Sequence, residues 1–339
     1  MANEKPISFG RTGIFWLFLK AMDDYYGNCI NKVNLPKSLF NDPMRPMPLN
    51  EMTRYFGVLE ESINDELFVA KGGSLIQLEN FGPFRSIVYS TPVLFTAIRR
   101  FNALAQNIQS GCKVRTGIEK ELTCWTYNTQ LSIQSERLLD GIVGAWVFIH
   151  LLKWYLGKNY TPSEVHLPGS RLGAHGEIEK IFGCPVIWNA KLTMVRFPSE
   201  HLKQCIPINR ALLPSDSGQT FSLDSIDLPE ESDLPRCVYE LINYARAFGY
   251  PKLEFVADIL MISPLTLQRR LQRENLSFSE ITKYQLFYHL APEMLVNGES
   301  EDIIAAELGF NNPQSFSKAF KKVHEVTPKQ YLQNIEDYL

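Results

Sequence analysis

Two stretches near the carboxyl end of this 339-residue chain set amide and cationic side chains beside an apolar helical face. In SPLTLQRRLQRENLSF (residues 263–278), Leu267 and Leu271 stand four apart and mark a core face, while Gln268, Arg269 and Gln272 fall on other faces. Arg270 and Arg273 extend the cationic cluster. In NNPQSFSKAFKK (residues 311–322), Phe316 and Phe320 repeat that spacing and leave Gln314, Ser315, Lys318, Lys321 and Lys322 to meet solvent or a polyanion. Guanidinium, ammonium and amide groups on one helix are what DNA accepts at its phosphates and base edges. A solvated charged face explains either stretch alone. Position favours DNA contact, because each stretch follows a turn and forms the second helix of a pair.

The elements that must hold these side chains are legible around them. Residues 253–262 read as a support helix, Ser263 as an N-cap and Pro264 as a first helical residue. A longer helix is expected from 279 to 296. It would span about 27 Å at 1.5 Å per residue, against roughly 34 Å between successive major-groove faces. Pro292 predicts a kink near residues 289–291. Ile304, Ala305 and Leu308 then pack a second support helix, Gly309 makes its turn, and Asn311 or Asn312 caps the next helix ahead of Pro313. Residues 253–278 and 301–331 are thus two helix-turn-helix patterns in tandem. That arrangement suits two successive major-groove segments of one duplex.

The rest of the chain sets the context. Its length suggests two domains. A hydrophobic share of 45% with 21% charged residues is that of a folded protein with a real core. The net charge of −3 argues against a uniformly basic coat. Residues 214–235, rich in Ser, Asp, Glu and Pro, read as an acidic linker between an N-terminal domain (1–213) and a C-terminal domain (236–339). The first mixes helices at 12–26, 49–64, 92–108 and 134–156 with a hairpin across 112–128 and short strands at 164–167, 186–188 and 192–197. It is expected to be α+β with a mostly antiparallel sheet. The second is expected to be all-α, with two helix-turn-helix units.

Cysteines at 29, 112, 124, 184, 205 and 237 form no CxxC pair and no zinc-ligand spacing, so neither a metal nor a cofactor is expected. They read as buried thiols in a reducing cytoplasm. The apolar run at 14–19 is too short for a signal segment, and residues 141–156 read as a buried helix containing His150 and Lys153. A cytoplasmic location without membrane attachment follows.

Together, SPLTLQRRLQRENLSF, IAAELGFNNPQSFSKAFKK and VTPKQY resemble the DNA-binding domain of the AraC/XylS family of bacterial transcriptional regulators. The resemblance covers about the last hundred residues. More loosely, ENFGPFRSIVYSTPVLFTAIRRF (79–101) and EVHLPGSRLGAHGEIEKIFGCPVIWN (164–189) resemble the arabinose-binding type of N-terminal domain, regarded as effector-binding or dimerising. By motif position, the resemblance makes Leu265, Gln268 and Arg269 base-reading residues in the first unit, and Gln314, Ser315 and Lys318 in the second. The chemistry agrees: Gln pairs with adenine, and Arg or Lys reaches guanine. Arg273, Lys321 and Lys322 are expected at phosphates. The resemblance further implies double-stranded DNA and RNA polymerase as partners, a homodimer, activation, and a small-molecule effector.

Three residues depart from the family pattern: Met261 replaces a common turn glycine, Gln285 replaces a common arginine, and Pro292 is unusual. Residues 236–339 also carry 11 Lys+Arg against 13 Asp+Glu, which suggests weak non-specific affinity or strong salt sensitivity.

Other chemistry finds less support. Ser170 between His166 and His175 lacks a G-x-S-x-G elbow, and Gly72-Gly73 lacks the context of a phosphate loop. No catalytic residues are assigned. Trp125, Tyr127, Trp146, His150, Trp154 and Trp188 are an aromatic set that could line an effector pocket or simply form core. The competing class is a metabolic enzyme or small-molecule binding module whose C-terminal helices serve protein interaction. Salt-dependent binding of duplex DNA separates the two.

Overall fold

The computed structural model describes residues 7–131, 133–207 and 227–336. The expected acidic linker, 214–235, lies outside the described residues as far as 226. The chain folds as two compact units. One gathers Ser8–Leu35 and Met52–Leu228, the other Met1–Ile7, Pro36–Glu51 and Pro229–Leu339.

The larger unit is α+β. Its elements are α1 (Thr12–Tyr26), most of α2 (Leu49–Ile63), α3 (Phe68–Leu75), α4 (Leu94–Ile108), β1 (Lys113–Glu119), β2 (Leu122–Asn128), α5 (Gln134–Leu156), β3 (Glu164–His166), β4 (Val186–Ile187) and β5 (Thr193–Pro198). The strands form one sheet in the order β1-β2-β5-β3-β4. It is antiparallel except for the parallel pair β3 and β4, with Val114 opposite Tyr127 and Trp125 opposite Val195. Apolar periodicity predicts α1 and α5 with the ends they have.

Helix α5 is long and apolar enough to cross a membrane by composition, yet it packs inside this unit against α3, β2 and β5. Trp125 on β2 stacks on its Phe148, ring centroids 3.9 Å apart. A Cβ at Gly72 would lie 2.1 Å from Met22 Sδ, and one at Gly73 would lie 2.5 Å from Trp146 Cδ1. The glycine pair therefore serves the close approach of α3 to α1 and α5. His150 bonds the Gly73 carbonyl oxygen at 2.8 Å, and burial pulls its pKa down to about 4, so the ring is a neutral core histidine.

In the smaller unit, Leu234 onward is helical: α6 (Leu234–Ala245), α7 (Leu253–Ile259), α8 (Pro264–Arg273), α9 (Phe278–Lys283), α10 (Ala291–Val296), α11 (Glu301–Glu307), α12 (Pro313–His324) and α13 (Pro328–Glu336). Residues Tyr284–Leu290 join α9 to α10 as a π-helical stretch. The expected kink ahead of Pro292 takes this form: the Ala291 N–H bonds the Leu286 carbonyl, five residues back, and the proline sits in the first turn of α10.

Tyr250, ahead of α7, meets Phe310, after α11, edge-to-face with ring centroids 5.1 Å apart, and two further contacts beside it join the helical pairs of this unit. Gly309, at φ +80°, follows α11. A Cβ there would lie 2.4 Å from the backbone of Gly249, in the loop ahead of α7. Beside it stands Glu307. Its carboxylate accepts from Asn41 Nδ2 at 2.6 Å and pairs with Arg246 and Arg45 at 3.0 Å each. Arg45 is only 1% exposed and also donates to the Ser38 carbonyl, so the segment Pro36–Glu51 is built into this unit. Its stretch Pro46–Pro48 packs on α6, and Asn50 donates to the Ile259 carbonyl at 2.9 Å.

Burial opposes the Glu307 charge, but Asn41 and the two guanidinium groups outweigh it and hold its pKa below the ordinary value. Its stabilisation is therefore present above the unfolded carboxylate pKa and lost as pH falls through the lower folded value. Glu307→Ala leaves two buried arginines uncompensated and is expected to cost about 3–5 kcal/mol. Chemical denaturation at pH 7 measures the loss, and a variant as stable as the parent rules out this role.

Candidate nucleic-acid interface

Each helix that could enter a groove begins with a side-chain cap. Ser263 Oγ accepts from the Thr266 N–H at 3.1 Å and starts α8, with Pro264 in its first turn. Of the two candidates at the start of α12, Asn312 is the cap, accepting from the Ser315 N–H at 2.8 Å. Between them, Ser277 and Glu280 form a reciprocal capping box, and Ser300 caps α11. Such caps contribute about 1 kcal/mol apiece and fix where each helix begins, hence which residues share a face.

The first recognition helix, α8, buries Leu267 and Leu271 and exposes Leu265, Gln268, Arg269 and Arg273. The second, α12, buries Phe316 and Phe320 and exposes Gln314, Ser315, Lys318, Lys321 and Lys322. All nine residues singled out from the sequence thus lie on solvent-facing positions of these two helices. Leu265 is 54% exposed at the start of α8, an apolar group fit for a thymine methyl.

Phe316 and Phe320 belong to a core with Leu286, Phe287, Ala291, Leu295, Ile304, Ala305 and Leu308, which seats α12 on α10, α11 and the π-helical stretch. His324, at the end of α12, donates from Nε2 to the Phe287 carbonyl oxygen at 2.7 Å and packs on Phe320 and Tyr331. The far end of the helix is thereby tied to the connecting segment.

The departures from the family pattern have physical consequences. Met261 adopts φ +55° in the turn between α7 and α8, with its side chain 65% exposed. Gln285 is 1% exposed, and neither its amide oxygen nor its nitrogen has a partner among the described residues. Of the aromatic set weighed for a pocket, Tyr127 lines a cavity. Trp125 and Trp146 stack in the core on Phe148 and Phe182, and Trp154 packs on Tyr89.

Comparison with known proteins identifies the family. Residues 27–206 match the family described as the arabinose-binding domain of AraC transcription regulator, and residues 256–334 match a helix-turn-helix domain. The chain belongs to the AraC family of transcription regulators. It is 26% identical over 162 residues to the HTH-type transcriptional regulator VirS of Mycobacterium tuberculosis, covering 48% of this chain and 47% of VirS. It is 31% identical over 80 residues to the transcriptional activator PerA of Escherichia coli, covering 24% and 29%. The matched stretch thus spans about half of VirS and under a third of PerA. The crystal structure of the regulator CdpR from Pseudomonas aeruginosa aligns with a TM-score of 0.44 at 17% identity, over 94% of this chain and 98% of that one.

The left-handed backbone at Met261 costs a residue with a Cβ about 1–2 kcal/mol, while glycine forfeits roughly 0.5–1 kcal/mol in chain entropy. With most of the side chain in solvent, Met261→Gly is expected to stabilise the C-terminal unit by up to about 1 kcal/mol. A lowered denaturation midpoint would contradict this.

Proposed function

We propose that this protein is a sequence-specific DNA-binding transcriptional regulator that reads two adjacent major-groove segments with α8 and α12. One observation carries the reading: two capped helices, each anchored by a buried apolar pair, turn every expected base- and phosphate-contacting side chain outward. Gln268, Arg269, Gln314, Ser315 and Lys318 supply donors and acceptors for base edges. Arg273, Lys321 and Lys322 supply charge for phosphates. The protein acts as an activator through contact with RNA polymerase, a sense supported by its likeness to the transcriptional activator PerA. It works as a cytoplasmic homodimer, with the N-terminal unit sensing a small molecule. It is not an enzyme.

Selection from fragmented genomic DNA with the purified chain is expected to yield sites with two short blocks about one helical turn, roughly 10 base pairs, apart. On such a site Arg269→Ala and Lys318→Ala each weaken binding by about 1–3 kcal/mol and leave the melting temperature unchanged. Lys321→Ala instead lowers the slope of log affinity against log salt by about one. Fluorescence anisotropy across a salt series reads both effects. Wild-type affinity in all three variants, or no DNA binding at any salt, refutes the reading and favours a protein-interaction role for these helices.

A further inference from the structure

The N-terminal unit holds a cavity of about 70 Å³ bordered by α1, α4, β2 and α5. That exceeds the roughly 10–15 Å³ needed to hold a single water. Its walls are largely apolar, with Phe84, Phe101 and Phe148 buried at the back and Ile14, Ile108 and Val147 half-buried around it. One face of α5 supplies Asp140, Val143, Gly144, Val147 and Phe148, the i, i+3, i+4, i+7, i+8 stripe of a helix.

Three polar groups converge in this otherwise apolar space. The Tyr127 hydroxyl donates to Asp140 Oδ2 at 2.5 Å. Gln109 Nε2 lies 2.5 Å from the Tyr127 oxygen and 3.3 Å from Asp140 Oδ1. The Thr129 side chain also favours the charged carboxylate. Every one of these partners is neutral, and no Lys, Arg or His pairs with Asp140 among the described residues.

Burial raises the Asp140 pKa to about 6, so the group still carries its charge at neutral pH. A carboxylate in that setting is costly. An asparagine has a single amide oxygen and could not accept from Tyr127 and Gln109 on two separate oxygens. Neutral donors solvate the carboxylate, but none of them balances its charge. A cation entering the cavity balances it by taking the place of Gln109 Nε2, whose contacts with the two Asp140 oxygens are long, 3.3 and 3.5 Å.

We propose that this cavity binds a small organic cation, a compact primary or secondary amine, with its ammonium on Asp140 and Tyr127 and its hydrocarbon body against Phe101, Val147 and Phe148. The proposal rests on the reading of the N-terminal unit as the sensing part of the regulator and names the chemistry it senses.

The test uses the full chain and three probes of one shape: isobutylamine, isobutanol and isobutyrate. In thermal melts at pH 7.5 the amine is expected to raise the melting temperature progressively with its concentration, as a ligand of the folded state must. The alcohol and the acid are expected to leave it unchanged. Asp140→Asn is expected to fold and to abolish the amine effect. Should that variant not fold, Val147→Phe fills the cavity without touching the carboxylate and is expected to abolish it too. No shift with isobutylamine, an equal shift with isobutanol, or a shift that survives in either folded variant overturns the proposal. DNA binding by the same preparation is scored separately. Retained DNA binding without an amine effect removes the cation site and leaves the regulator standing. Lost DNA binding removes the regulator reading whatever the amine does.

Discussion

The carboxylate of Glu307 is the constraint on which the C-terminal unit depends. It closes the support helix of the second helix-turn-helix pair, yet its partners come from elsewhere: Arg246 follows α6 in the first half, and Asn41 and Arg45 come from a segment more than two hundred residues upstream. Hydrophobic packing alone is non-directional and lets two small helical pairs slide on one another. A carboxylate shared by two buried guanidinium groups tolerates little movement, because any displacement strands charge away from water. The approach of Gly309 to the Gly249 backbone adds a steric limit beside it. Under the function proposed above, two helices that meet one duplex in register require such fixation.

That hub was illegible in the sequence, for a physical reason. Arg45, Arg246 and Glu307 have no periodicity linking them, and a charged residue far from its partner reads as a solvated one. What the sequence did disclose is local. Apolar spacing placed α1 and α5, Ser263 and Asn312 are caps because of their type and the prolines after them, and Leu267, Leu271, Phe316 and Phe320 are buried because their spacing makes a face. The exposed positions of α8 and α12 follow by exclusion. The cavity was only half legible. Attention to aromatic residues found Tyr127, but the stripe from Asp140 to Phe148 carried the clearer sign: an acid in register with four small or apolar residues on one helical face.

Two of the three departures from the family pattern, Gln285 and Pro292, fall in the segment that connects the helical pairs. The π-helical stretch widens the helix just before Pro292, which removes the conflict between the proline ring and a regular preceding turn. Gln285 lies in that stretch with its amide buried and without partners, a local cost in a segment already displaced from ideal helix geometry. Both features fall between the two recognition helices, where a change of a few degrees would alter the span they present to DNA.

The path of the chain does not follow the boundary of the family match. Residues 27–206 match the arabinose-binding type of domain, and Pro36–Glu51 lies inside that match, yet this segment packs with the helix-turn-helix unit. The chain leaves the larger unit after Leu35 and re-enters it at Met52, so the sequence assigned to one domain supplies Arg45 to the core of the other. The first three residues of α2, Leu49–Glu51, belong to the smaller unit and the rest to the larger. A C-terminal fragment cut at the acidic stretch would lack Asn41 and Arg45. Glu307 would then hold one guanidinium group in place of two, and the second helix-turn-helix pair would lose half of the charge that seats it.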